Sequence, residues 1–192
     1  AEWNGTQYPA TSFQFSFDIS GQSQKVTQSQ KTIQSYNKDG QPKRNFRGAI
    51  NVNEDGTVDG VDVLIPYLTY QETRTYGGIN ASFINVLASI VGSVNLNDYA
   101  GYKAGELLLT RCSGSQREDG NWDLTFAWSV SRNASSLIVG DIQGIVKDGW
   151  DYLWIYYGVQ HDPDTLCTHK VPLNAYVERV YARTDFSQIA IT

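Results

Sequence analysis

Between Asn121 and Ser131 the chain alternates without a break: Trp122, Leu124, Phe126, Trp128 and Val130 stand at every second place, with Asp123, Thr125, Ala127, Ser129 and Ser131 around them. Successive side chains of a β-strand leave on opposite faces, so a period of two over this length means a strand with one face buried and the other wet. A chain built on such a strand must form a sheet and then cover its apolar face. The same alternation runs through Phe13, Phe15, Phe17 and Ile19 against Ser12, Gln14, Ser16 and Asp18, and predicts an early strand ending at Ser20 and Gly21. Leu107 to Arg111 reads as the partner of the Trp122 strand, in a hairpin whose polar connection from Ser113 to Gly120 protrudes.

Val58 to Tyr70 carries apolar residues on both faces, which predicts a strand that is central or covered on both sides. Pro66 lacks the ladder N–H, so it belongs at a bulge or beside an unpaired edge. The turn residues Asn53-Glu54-Asp55-Gly56 join this strand to a strand-like stretch from Phe46 to Asn51. Further on, Trp150, Tyr152, Trp154 and Tyr156 share one face and Leu153, Ile155 and Tyr157 the other, while Tyr176 to Tyr181 and Phe186 to Ile191 read as two more extended segments. The Gln- and Ser-rich stretch from Ser20 to Ser35 reads as a polar edge strand and loop, with a hydrogen-bonding surface for a neighbouring subunit as the sharper alternative.

Helical spacing is convincing in one place. Ile79, Phe83, Val86, Leu87 and Ile90 recur at intervals of three and four, behind Gly77-Gly78 and ahead of Gly92. The expected fold is therefore mainly β, a β-sandwich or barrel of at least seven strands, with one amphipathic helix packed on the sheet. Aromatic content (5 Trp, 12 Tyr, 7 Phe) favours the same class, because these side chains suit a pleated, half-buried surface. At 192 residues a single domain over 1–192, with extended terminal arms, is the default.

Several function classes are disfavoured. The net charge of -5 argues against binding nucleic acid by phosphate neutralisation, and the cluster Lys43, Arg44 and Arg47 is too short to reverse that. No apolar run approaches the roughly 20 residues of a membrane span, so no membrane partner is expected. No leader pattern opens the chain and Met is absent, which fits a chain made in the cytoplasm with its initiator removed. Glycosylation triplets at Asn4, Asn80 and Asn133 are what a chain rich in Asn, Ser and Thr produces by chance.

Catalytic constellations are missing from the pattern. The chain has two histidines, His161 and His169, and no Gly-x-Ser-x-Gly elbow. His161, Asp162, Asp164, Cys167 and His169 offer metal-ligand types, but their spacing matches no zinc pattern, so neither a metal nor a cofactor is expected. Cys112 and Cys167 are too few for a disulfide framework, although one bridge between them is open. The glycines of Gly140 to Gly149 lack the Lys and Ser/Thr of a phosphate loop and suit tight turns. The expectation is a protein that is not an enzyme.

A run of local patterns carries a resemblance: Asn95 with Tyr102-Lys103-Ala104-Gly105-Glu106-Leu107-Leu108-Leu109, Ser113-Gly114-Ser115, Trp122-Asp123-Leu124-Thr125-Phe126, Val139-Gly140-Asp141-Ile142-Gln143-Gly144-Ile145, Gly149-Trp150-Asp151-Tyr152-Leu153-Trp154, and Ala175 to Tyr181 followed by Asp185-Phe186. The front half adds Val26-Thr27-Gln28-Ser29, Phe46 to Ile50, Val58 to Val63, and Glu72-Thr73. In these the chain resembles a β-rich family of tailed-phage and prophage structural proteins, departing from the pattern between His161 and His169. The resemblance implies a virion-associated protein, assembled in the bacterial cytoplasm, whose partners are copies of itself in a ring or tube of the tail or neck and other virion proteins. Candidate inter-subunit contacts are Arg117, Glu118 and Asp119 in the protruding loop and Phe186, Ile189 and Ile191 in a terminal segment that either reaches a neighbour or closes its own sheet. A carbohydrate-binding or host-recognition module using exposed Trp and Tyr is the alternative.

Overall fold

The computed structural model describes residues 10–29, 32–41, 44–163 and 167–189, with the backbone alone at 10–13, 162, 167–169 and 188. Along these residues run β1 (Ala10–Val26), β2 (Val61–Tyr76), α1 (Ala81–Ile90), β3 (Val94–Asn95), β4 (Leu107–Gln116), β5 (Trp122–Val130), β6 (Ala134–Val139), β7 (Ile142–Lys147), β8 (Tyr152–Asp162), β9 (Cys167–Glu178) and β10 (Arg183–Thr184). The mainly β class with one packed helix is as expected. Six strands form a mixed sheet in the order β1-β2-β5-β4-β3-β10, and β6-β7 and β8-β9 form separate two-stranded ribbons.

The alternating residues of β5 direct the core. Leu124, Phe126 and Trp128 are buried, and in register with them stand Arg74, Glu72 and Tyr70 of β2 and Gly114, Cys112 and Leu109 of β4. Residues opposite one another in a ladder share a face. That face is covered by Phe83, Leu87 and Ile90 of α1 and by Phe186 and Ile189, with Tyr99 and Tyr102 packed at its margin. Trp128 sits at the centre, its ring edge-on to Phe186 at 4.9 Å between centroids and 5.5 Å from Tyr99. The second layer is thus one helix and two loop segments.

The helix begins where Asn80 caps it, its side chain accepting the Phe83 N–H at 2.8 Å, and ends as Gly92 turns away with φ +85°. Gly149 is required by close approach, since a Cβ there would lie 1.8 Å from the Ser131 carbonyl oxygen.

Three local expectations are corrected. Phe46 to Asn51 is no strand: Arg47, Gly48 and Asn51 have positive φ, and the segment meets the rest through single bridges such as Gln28 to Ala49. Ser113 to Gln116 continues β4, because Ser113 to Gln116 find register partners from Thr125 to Trp122, so the connection shrinks to residues 117–121. Phe186–Gln188 is a 3-10 turn, capped by Asp185, whose carboxylate accepts the Ser187 N–H.

Candidate assembly surface

β1 does not stop at Ser20 and Gly21. It pairs with β2 from Ala10 to Val26 with no irregularity beyond Ser12, so the Gln- and Ser-rich residues prolong the Phe-rich strand. β2 pairs with β5 only from Leu68 onward, which leaves Ser20–Val26 and Val61–Tyr67 as a two-stranded arm projecting past the sheet. Pro66 lies in that projecting part, opposite Gly21, where β2 has one neighbour and the missing N–H costs nothing. Among the described residues nothing pairs with the outer side of β1.

The register puts Phe15, Phe17 and Ile19 on the same face as Tyr70 and Leu68, the face that elsewhere holds the core. Leu64 and Pro66 of the arm continue that row. The cover stops short of it. Phe15 is 52% exposed, Phe17 66%, Ile19 63% and Leu64 78%, and every residue from 14 to 25 is exposed. The expectation that β1 buries one face fails here, while β2 is central, between β1 and β5, from Leu68 onward and has one neighbour only in the arm. Phe15 reaches the core's edge, 5.3 Å from the Tyr70 ring, and the rest of the row lies beyond it. A Lys25–Asp62 ion pair at 3.6 Å closes the row at the tip.

The sequence-predicted contacts divide. Arg117, Glu118 and Asp119 are exposed on the β4–β5 turn, with Arg117 3.3 Å from Asp123. Phe186 (1% exposed) and Ile189 (2%) are buried in their own chain's core, so they are not available to a neighbour: the terminal segment closes its own domain. Ile191 lies outside the described residues. The set read as metal-ligand types is part of a hairpin, with His161 opposite Thr168 and His169 opposite Gln160 on consecutive rungs, and Asp164 outside the described residues. Of the basic residues, Arg47 pairs with Asp141 and Lys43 lies outside the described residues. Asn80 and Asn133 both serve the fold, Asn133 accepting the Gly149 N–H and donating to the Ala104 carbonyl.

Interior polar groups missed by sequence reasoning hold the layers together. Glu106 is 4% exposed; its Oε1 accepts the Asn133 N–H, and its Oε2 accepts the Lys103 N–H and Arg132 Nη1, all at 2.9 to 3.0 Å. Burial opposes its charge, but these donors outweigh burial and hold the carboxyl below its ordinary pKa. The Glu106 carbonyl accepts Trp150 Nε1, tying β4 to the start of β8. Arg183 similarly joins Asp148 (2.7 Å) and Asp151 (3.3 Å). Under the core face, Glu72 and Arg74 form a 2.6 Å ion pair, and burial pushes the Tyr70 and Tyr76 hydroxyls far up. An apolar groove of about 250 Å³ lies between α1 and the β4–β5 hairpin, lined by Ile84, Leu87, Cys112, Trp122 and Leu124, where burial raises the Cys112 thiol to about 11.

On the β8–β9 ribbon, Tyr152, Trp154 and Tyr156 share a face with Glu178, Tyr176 and Asn174. Trp154 stacks on Tyr176 at 4.2 Å, and the three tyrosines are exposed. Among the described residues no helix is long and apolar enough to cross a membrane. Comparison of the chain with protein-family models, with curated proteins and with solved structures finds no match.

Proposed function

We propose that this protein is a structural subunit that works by self-association, as the phage resemblance implies, in the tail or neck of a virion and without chemistry of its own. The observation that supports this is the apolar row of Phe15, Phe17 and Ile19 on β1 and Leu64 on β2, exposed where the outer edge of β1 is also unpaired among the described residues. Long edges that also expose large apolar side chains are what folded proteins suppress unless they pair with another chain. Mass photometry and negative-stain electron microscopy of the purified protein test the reading. Discrete assemblies are expected; a strict monomer at high concentration overturns it.

A second reading is favoured by the β8–β9 ribbon. Tyr152, Tyr156 and Tyr176 present an aromatic platform flanked by Asn174 and Glu178, the combination of ring faces and hydrogen-bonding groups on which a sugar stacks. Under this reading the chain is a carbohydrate-binding or host-recognition module on the particle surface. Glycan-array binding abolished by Tyr156→Ala supports it, and no binding to any glycan removes it.

A further inference from the structure

A sheet face that carries large apolar side chains needs a second layer, and in this chain that layer ends too soon. α1, Tyr99, Tyr102 and the Phe186 turn cover β2, β5 and β4, while among the described residues nothing covers the same face of β1 beyond Phe15, or of the arm. On the opposite face of the arm Val63, Ile65 and Tyr67 are half-buried, and Tyr67 donates to Ser129 at 2.6 Å. Among the described residues on that face of the arm, Val61 at its end is the one large apolar side chain left exposed.

Resting on the self-association reading, we infer that the missing layer is the same face of a second copy, packed on this one about a two-fold axis. The patch suits this. It is a single row, Phe15, Phe17, Ile19, Leu64 and Pro66, free of charge until the Lys25–Asp62 pair at its tip, so an identical row laid across it meets apolar groups with apolar groups and leaves the ion pair at the rim. At roughly 200 Å² per large apolar side chain, the exposed fractions of Phe15, Phe17, Ile19 and Leu64 leave about 520 Å² in water. That is near the upper limit for the largest apolar patch of an ordinary monomer, about 600 Å². Two such rows face to face remove about 1,040 Å² before the rim is counted, close to the roughly 1,200 Å² at which specific interfaces begin. The packed arms make a small β-sandwich with about 10 Å between layers. Because the patch contacts itself, the contact closes on two copies, and any ring or tube is built from such pairs through other surfaces.

The test is sedimentation equilibrium from 1 to 100 μM on the full chain and on face-specific charge variants. The wild type is expected as a concentration-dependent dimer. Phe17→Asp and Leu64→Asp, on different strands of the row, each weaken it at least a hundredfold. Gln22→Asp, exposed on the other face of β1, leaves it unchanged. Phe17 and Leu64 are mostly exposed, so at 1 μM both variants keep the wild-type circular dichroism spectrum, which separates lost association from lost folding. A monomeric wild type overturns this inference together with the self-association reading. Association that survives both Asp substitutions, or that Gln22→Asp abolishes equally, overturns the face-to-face pair and leaves self-association standing through another surface.

Discussion

Glu106→Gln is the substitution on which the account of the fold is most exposed. The carboxylate receives three donors: the Asn133 N–H on one oxygen, the Lys103 N–H and Arg132 Nη1 on the other. A carboxamide of the same shape keeps one oxygen and turns an NH2 group toward the remaining donors. Hydrogen bonds to a charged acceptor contribute about 1.5 to 3 kcal/mol each, and a buried donor left without a partner costs about 1 to 3 kcal/mol. The Arg132 side chain is 65% exposed, so water replaces its partner and its share is small. The backbone N–H groups dominate, and the expected loss is about 2 to 4 kcal/mol. With a urea slope of about 2 kcal/mol/M, the unfolding midpoint falls by about 1 to 2 M. Acid supplies a second readout. The folded-state pKa of Glu106 is depressed, so its contribution is complete above the unfolded carboxylate value of about 4.3 and is lost as pH falls through the folded value. The gap between wild type and Glu106→Gln is therefore constant from neutrality to about pH 5 and closes below it. A midpoint shift under about 0.3 M, or a gap that does not close in acid, refutes the reasoning.

Gly149→Ala forces a Cβ into the Ser131 carbonyl oxygen and is expected to cost more than about 3 kcal/mol, read as loss of soluble protein or a collapse of the thermal midpoint. Asn80→Ala removes the cap of α1 and lowers stability by about 1 kcal/mol in urea titration, while Asn80→Asp retains most of it. With its thiol raised to about 11, Cys112 is alkylated by iodoacetamide at pH 8 at least about tenfold more slowly than free cysteine, as peptide mass spectrometry measures; an equal rate contradicts its burial against α1.

The amino-acid sequence by itself determined the strand of Trp122 to Val130, the helix between the glycines, the hairpin that pairs β4 with β5 and the glycine turns, because each follows from periods of two or 3.6 and from backbone chemistry that neighbours in sequence settle. What it left open was which apolar face is covered. Phe13 to Ile19 and Leu124 to Val130 carry the same alternation, yet Leu124, Phe126 and Trp128 are buried and Phe15, Phe17 and Ile19 are not, since cover comes from α1 and the Phe186 turn, far away along the chain. Nor does periodicity fix where the polar edge strand ends: that Ser20 to Val26 continues the Phe-rich strand without a break is seen only in its rung-by-rung pairing with β2. The hydrogen bonds of Glu106 and Arg183 are of the same kind, each joining residues 25 to 44 positions apart, apart from the local bonds to Lys103. Local pattern fixes which residues can be strand or helix; only tertiary packing, which brings distant residues together, decides which of their faces meet water.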